Sequence, residues 1–239
     1  MSSSRFKCIG IVAVSGPGAA LCWQTIYSEG ERFTGVKYLH PEVVMHGYPF
    51  SEYMVRIERG DWGGVAELMV SSARLLAAAG ADFIICPDNT VHVVFDDVVK
   101  RSPIPWLHIA EEVAKEAVRS NFKKLLILGT KYLMESEVYP SRLKRHGLEW
   151  AIPGAEEREV VNEVIFNELV YGTVTPRSRE KLVQIIKSIT AREGCDAVVL
   201  GCTELPLILN DEVSPIPTLD STRILARAAI KKAIGSNCM

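Results

Sequence analysis

The chain has 239 residues, 48% of them hydrophobic and 23% charged, with a formal net charge of −2. That length holds one large α/β domain or two of about 115 residues. The near-neutral balance, with never more than two basic residues in a row, argues against a nucleic-acid or anionic-membrane partner.

The polar stretch Met1–Lys7 leads directly into a first strand and does not read as a secretory signal. Strands and helices then alternate. Lys7–Val14 reads as a strand, Gly18–Ser28 as a helix, Glu42–Gly47 as a strand and Val65–Ala79 as a helix stopped by Gly80. Asp82–Cys86 is the third strand, followed by a short helix at Val93–Lys100, a short strand at Pro105–Leu107 and a helix at Ile109–Ser120. The second half repeats the theme. It has strand Lys124–Leu128, helix Met134–His146, strand Leu148–Ile152, and helices Glu156–Tyr171 and Arg177–Glu193. Strand Ala197–Leu200, a strand near Pro215–Thr218 and helix Thr222–Ile234 complete the chain.

Strands separated by helices imply parallel sheets. No low-complexity linker divides the halves, so two closely packed lobes with a cleft between them are expected. Residues 1–107 plus 212–239 form the first, with the C-terminal helix returning to it, and residues 108–211 form the second. No apolar run approaches the roughly 18 residues that would cross a bilayer. Six cysteines without paired spacing suit a reducing cytoplasm. With no Cys-x-x-Cys and five scattered histidines, no metal site is expected.

Two strand ends carry the chemistry. Cys86-Pro87-Asp88-Asn89-Thr90 closes the apolar run Phe83-Ile84-Ile85, and Gly201-Cys202-Thr203-Glu204 closes Ala197–Leu200. Open α/β sheets place their sites at such ends. Asp88 and Cys202 are 114 positions apart, and the same offset carries Ile9–Gly16 onto Lys123–Thr130, another apolar run ending in a small polar turn. Two coincidences in one register favour a duplicated α/β unit. One copy offers a thiol where the other offers a carboxylate.

These segments also carry a family resemblance. Gly10–Pro17 resembles a glycine-rich turn of the aspartate/glutamate racemases, without its glycine pair. His40-Pro41-Glu42, Tyr48-Pro49-Phe50, Gly60-Asp61-Trp62, Ala78–Phe83, Leu128-Gly129-Thr130, Gly201–Pro206 and Asp220-Ser221-Thr222-Arg223 are similar to the same family. Its relatives include hydantoin racemases, maleate isomerases and arylmalonate decarboxylases. The resemblance implies two pseudo-symmetric flavodoxin-like lobes with the active site in the cleft. It further implies a homodimer, no cofactor, and a small carboxylate substrate, an acidic amino acid foremost. Two cysteines would face the substrate, one thiolate removing the α-proton while the other thiol protonates the opposite face, because inversion needs loss and gain on different sides. Strand-end turns that feed helices point N–H groups at a carboxylate. Asn89, Thr90 and Thr203 would add donors for the enolate-like charge, with Ser15, Gly16 and Glu204 as further substrate contacts.

Asp88 stands where the family has its other cysteine. An unperturbed carboxyl lies about 4.5 pKa units below a thiol and is the weaker base toward carbon. Three outcomes follow: an asymmetric racemase using Cys202 and Asp88, a single-cysteine lyase or decarboxylase, or an altered binding protein. Cys86, two residues earlier, reads as a buried strand residue rather than a substitute. Thr173 stands where a basic residue for a distal carboxylate is expected. Arg177 and Arg56 are the replacements, weighed against solvated helix charges. His92 either tunes the site or is a hydrogen-bonded first-turn residue. Glu204 either contacts substrate or caps its helix. Ser15-Gly16-Pro17-Gly18 lacks dinucleotide-binding spacing, and no histidine is placed as the base of a cysteine hydrolase.

Overall fold

The computed structural model describes residues 6–235, so part of the polar stretch Met1–Lys7 and Cys238 lie outside the described residues. The chain forms an α/β fold with two parallel sheets, strand orders β2-β1-β3 and β5-β4-β6-β7. It divides into two units, one holding the chain through Ile109 together with Thr222 onward, the other Ala110–Ser221.

In the first unit β1 (Ile9–Val12) is buried along its whole length, which suits the centre of a parallel sheet. Ser15 then caps α1 (Gly16–Thr34), accepting from the Gly18 N–H at 3.2 Å, and Pro17 occupies the first turn. The cap starts this helix before the expected Gly18, and it runs on past Ser28 to Gly35, whose φ of 69° ends it. Strand β2 (Val43–His46) lies parallel to β1, Ile9 opposite Val43.

Helix α2 (Phe50–Glu58) has no counterpart in the sequence reading. It buries only Tyr53 and Ile57 and starts at Pro49 without a side-chain cap, so no capping residue marks its start. Helix α3 (Trp62–Ala78) is capped by Asp61 and followed by β3 (Phe83–Ile85), parallel to β1 with Ile9 opposite Phe83. The 3-10 turn Thr90–Val94 feeds α4 (Phe95–Arg101). The expected strand Pro105–Leu107 reduces to one parallel bridge, Trp106 to Ile84, before α5 (Ile109–Arg119).

In the second unit β4 (Lys124–Leu128) runs to Thr130, which caps α6 (Lys131–Met134) much as Ser15 caps α1. The continuous helix expected over Met134–His146 is broken. Pro140 lacks an N–H and opens the separate α7 (Pro140–Arg145). Strand β5 (Glu149–Ala151) pairs with β4 and is followed by α8 (Ala155–Asn167), the 3-10 turn Leu169–Tyr171 and α9 (Pro176–Glu193). Strand β6 (Ala197–Leu200) lies on the other side of β4, and β7 (Thr218–Asp220) lies beyond it. Strand β7 starts later than the expected Pro215–Thr218, after Pro217, whose carbonyl accepts from Val198. The core here gathers Leu126, Leu128, Val198 and Leu200 from the sheet with Val161, Ile165, Leu182 and Ile186 from α8 and α9.

The pairing of β7 with β6 holds residues 212–221 in the second unit, so the return to the first comes at Thr222 rather than at residue 212. Helix α10 (Ser221–Ile234) then packs Leu225, Ala226, Ala229 and Ile230 against Ile9 and Ile11 of β1 and Ala19, Cys22 and Ile26 of α1. Arg227 clasps Glu29 through two 2.8 Å hydrogen bonds. The halves therefore exchange their last helices, α10 belonging with the first sheet while nearly all of α5 belongs with the second unit.

Candidate active site

In the first unit the candidate residues stand at the carboxyl ends of neighbouring strands, Ser15 and Gly16 after β1 and Asp88, Asn89 and Thr90 after β3. Asp88 is half-buried, and one carboxylate oxygen accepts from the Val91 N–H at 3.3 Å, fastening the turn that follows. Its main-chain carbonyl lies 2.7 Å from Nδ1 of His92. Nε2 of His92 accepts from the Ile109 N–H at 3.3 Å. A ring nitrogen that accepts carries no proton, so Nδ1–H is the donor to Asp88 and His92 is the neutral Nδ1 tautomer. Its ring is buried, stacked on Phe95 at 5.4 Å and edge-on to His108 at 4.7 Å. His92 thus ties the Asp88 backbone to the start of α5. Of its two sequence readings, the hydrogen-bonded one describes it.

Asn89 and Thr90 are buried, and the hydroxyl of Ser15 is engaged as the α1 cap. Gly16 is exposed, and a Cβ placed there would meet nothing within 4 Å. Cys86 is fully buried, and burial pushes its thiol well up from the usual range, with the charge of Asp88 adding to the effect. A thiol so held stays neutral, which suits the structural reading of Cys86.

In the second unit the ends of β4 and β6 close on each other through two glycines. The Gly201 N–H donates to the Leu128 carbonyl at 2.7 Å. A Cβ at Gly201 would lie 2.7 Å from that carbonyl oxygen, and one at Gly129 would lie 3.0 Å from the Gly201 oxygen. The next residue, Cys202, is half-buried, whereas Cys8, Cys22, Cys86 and Cys195 are buried. The Cys202 thiol donates to Oε2 of Glu204 at 2.9 Å, and the Thr203 hydroxyl donates to the same oxygen at 2.7 Å. Glu204 makes no side-chain cap to the 3-10 turn Leu205–Leu207, so the capping reading gives way to a carboxylate aimed at the thiol.

This pairing was not legible from the motif alone. A thiol that donates to a carboxylate carries its proton and is poised as an acid. Once that proton has left, the carboxylate beside the sulfur makes the thiolate a stronger base.

The two arginines considered for a distal carboxylate each have other neighbours. Arg56 bonds to Glu52 through both its carboxylate and its carbonyl, each at 2.7 Å. Arg177 lines a groove of about 510 Å³ between α8 and α9 with Glu156, Glu157, Glu180 and Lys181. Among the described residues no helix is long and apolar enough to cross a membrane.

The model of a family described as Asp/Glu/hydantoin racemase matches residues 35–229. A broad specificity amino-acid racemase of Bacillus subtilis, RacX, is 26% identical over 193 residues, covering 80% of this chain and 81% of that protein. A crystal structure of an aspartate racemase homologue from Pyrococcus horikoshii is 34% identical with a TM-score of 0.82, covering 96% of this chain and all of that one. An aspartate racemase of Picrophilus torridus, at 24% identity and a TM-score of 0.79, shares the fold over 95% of this chain and 94% of its own.

Proposed function

As the chain belongs to the Asp/Glu/hydantoin racemase family, we propose that it inverts the α-carbon of an amino acid without a cofactor, with Cys202 and Asp88 as the two acid/base groups. The observation that carries this reading is the 2.9 Å hydrogen bond from the Cys202 thiol to Glu204. It supports a protonated sulfur at one group, while the carboxylate of Asp88, already accepting from the Val91 N–H, serves as the base at the other.

The proton count closes. Asp88 takes the α-proton and becomes a carboxylic acid; Cys202 gives its proton to the opposite face and becomes a thiolate beside Glu204. The opposite enantiomer uses the exchanged pair, with the thiolate as base and the carboxylic acid of Asp88 as donor. The two groups differ by about 4.5 units in unperturbed pKa, so the two directions are chemically unequal. Racemisation has an equilibrium constant of one, so kcat/KM is the same in both directions and the inequality falls on kcat and KM separately.

The substrate class is an α-amino acid without restriction to acidic side chains. Arg56 is engaged by Glu52, and the curated relative in Bacillus subtilis is named for broad specificity. A lyase or decarboxylase with one catalytic cysteine is the second reading, favoured by the carboxylate at position 88.

The test incubates L- and D-amino acids with the enzyme in D2O and follows the α-proton by NMR and the configuration by chiral chromatography. Deuterium should enter at the α-carbon with inversion, and Cys202→Ala should abolish inversion, leaving at most exchange with retention at the face served by Asp88. Inversion retained in that variant would sink the reading. Net consumption of a malonate-type substrate with release of CO2, and no inversion of any amino acid, would put the lyase in its place.

A further inference from the structure

Tyr53 is fully buried on α2, and among the described residues its hydroxyl has no partner in hydrogen-bond geometry. The polar groups around it are occupied with one another. Ser72 lies beside the phenol without meeting hydrogen-bond geometry, and its hydroxyl is 3.0 Å from Nδ1 of His46. The Tyr48 hydroxyl is 2.7 Å from that of Ser71, and the His46 and Tyr48 rings meet edge to face. The titratable groups that bear on Tyr53 are Cys86 and Asp88 from the end of β3 and Tyr48 from the end of β2.

A phenol buried without a partner is less favourable than a phenylalanine of the same shape, because its hydroxyl has lost water and gained nothing. Rules of packing are broken in this way where a site needs the group. Burial, the largest influence, holds the Tyr53 phenol protonated far above neutral pH, so it can serve only as a donor to an anion. Cys86, raised by its own burial, stays neutral and has no charge to be met. Asp88 is the anion at hand.

We propose that Tyr53 is a positioning residue for Asp88, its hydroxyl donating to the carboxylate in the substrate-loaded enzyme and holding it ionised for proton abstraction. Hydrogen bonds of this kind tighten on loading and are open in the resting protein. The proposal rests on the reading of Asp88 as an acid/base group. The titratable groups beside Asp88 are Cys86, on which its charge bears, and His92, bonded to its main-chain carbonyl. Of these, His92 is engaged at both ring nitrogens with Asp88 and Ile109 main-chain atoms.

The test compares Tyr53→Phe, Asp88→Asn and wild type by kcat and KM across pH, alongside thermal melting. Tyr53→Phe should melt at the same or a higher temperature. It should lower kcat about tenfold on the acid side with KM little changed, and move the acid limb of kcat up by about one pH unit. A lower melting temperature in Tyr53→Phe would mean the hydroxyl has a structural partner, and would overturn the proposal. So would an unmoved acid limb, whether or not kcat falls, when Asp88→Asn has lost inversion. Full activity in Asp88→Asn would overturn the Asp88 reading itself, and this one with it.

Discussion

The Cys202 thiol and the Thr203 hydroxyl converge on a single oxygen of Glu204, at 2.9 and 2.7 Å. The thiol therefore faces a negative charge that disfavours its ionisation until the proton has somewhere to go. Removing that charge in Glu204→Gln should make Cys202 ionise more readily. The pH midpoint of its alkylation by iodoacetamide, read by mass spectrometry, should fall by about one unit. The same variant should lower kcat by at least about tenfold, because the thiolate becomes the weaker base toward carbon. An alkylation profile that does not move would show that Glu204 leaves the sulfur unaffected.

How much of this was legible depends on where each signal resides. Leu125–Leu128 of β4 and the whole of β6 are uninterrupted apolar residues followed by glycine, so the strands and the turn carrying Cys202 were readable in place. Helix α2 escaped the reading because its nine residues open at Pro49 with no side-chain cap to mark the start, and with it Tyr53 stayed hidden. The contact of Glu204 with Cys202 is between residues two apart, and it depends on the backbone path of the turn rather than on any periodicity. The break before Pro140 and the late start of β7 after Pro217 are both proline effects that an apolar pattern masks.

His92 bridges the Asp88 carbonyl, through a part-buried bond, and the Ile109 amide, through a buried one. His92→Leu keeps the volume and removes both partners. Leaving the buried Ile109 donor unsatisfied costs about 1–3 kcal/mol. Urea unfolding at neutral pH should therefore show a loss of at least that size, with the slope of the transition unchanged. A variant as stable as wild type would mean that the two main-chain groups find other partners.

Gly201, directly after β6, and Gly16, at the start of α1, should respond oppositely to a methyl group. At Gly201 the new Cβ would lie 2.7 Å from the Leu128 oxygen, which is backbone and held by the Gly201 N–H. Gly201→Ala should destabilise by about 1–3 kcal/mol, as overpacking does. Gly16→Ala meets open space at the start of α1 and should change stability by less than about 0.5 kcal/mol. Any fall in kcat/KM in Gly16→Ala then reports on contact with substrate rather than on folding. Unchanged kinetics there would remove Gly16 from the site.

Arg227 and Glu29 join the returning helix α10 to α1 through a two-pronged contact, and the pH dependence of that contact has a definite sign. The Arg227 hydrogen bonds hold the Glu29 carboxyl below its usual range, with burial opposing and the charges of Arg227, Arg32 and Arg223 assisting. A group whose value is depressed on folding adds stability at pH above the unfolded carboxylate value, and that stability is lost as pH falls through the folded one. Arg227→Gln should thus be less stable than wild type at pH 7 by under about 1 kcal/mol, because the pair is partly exposed and screened. The gap should close between about pH 5 and pH 3 as Glu29 takes up its proton in both proteins. Paired urea melts at the two ends of that range decide it. A gap that persists undiminished at pH 3 would assign the stabilisation to packing of the Arg227 stem instead of its charge.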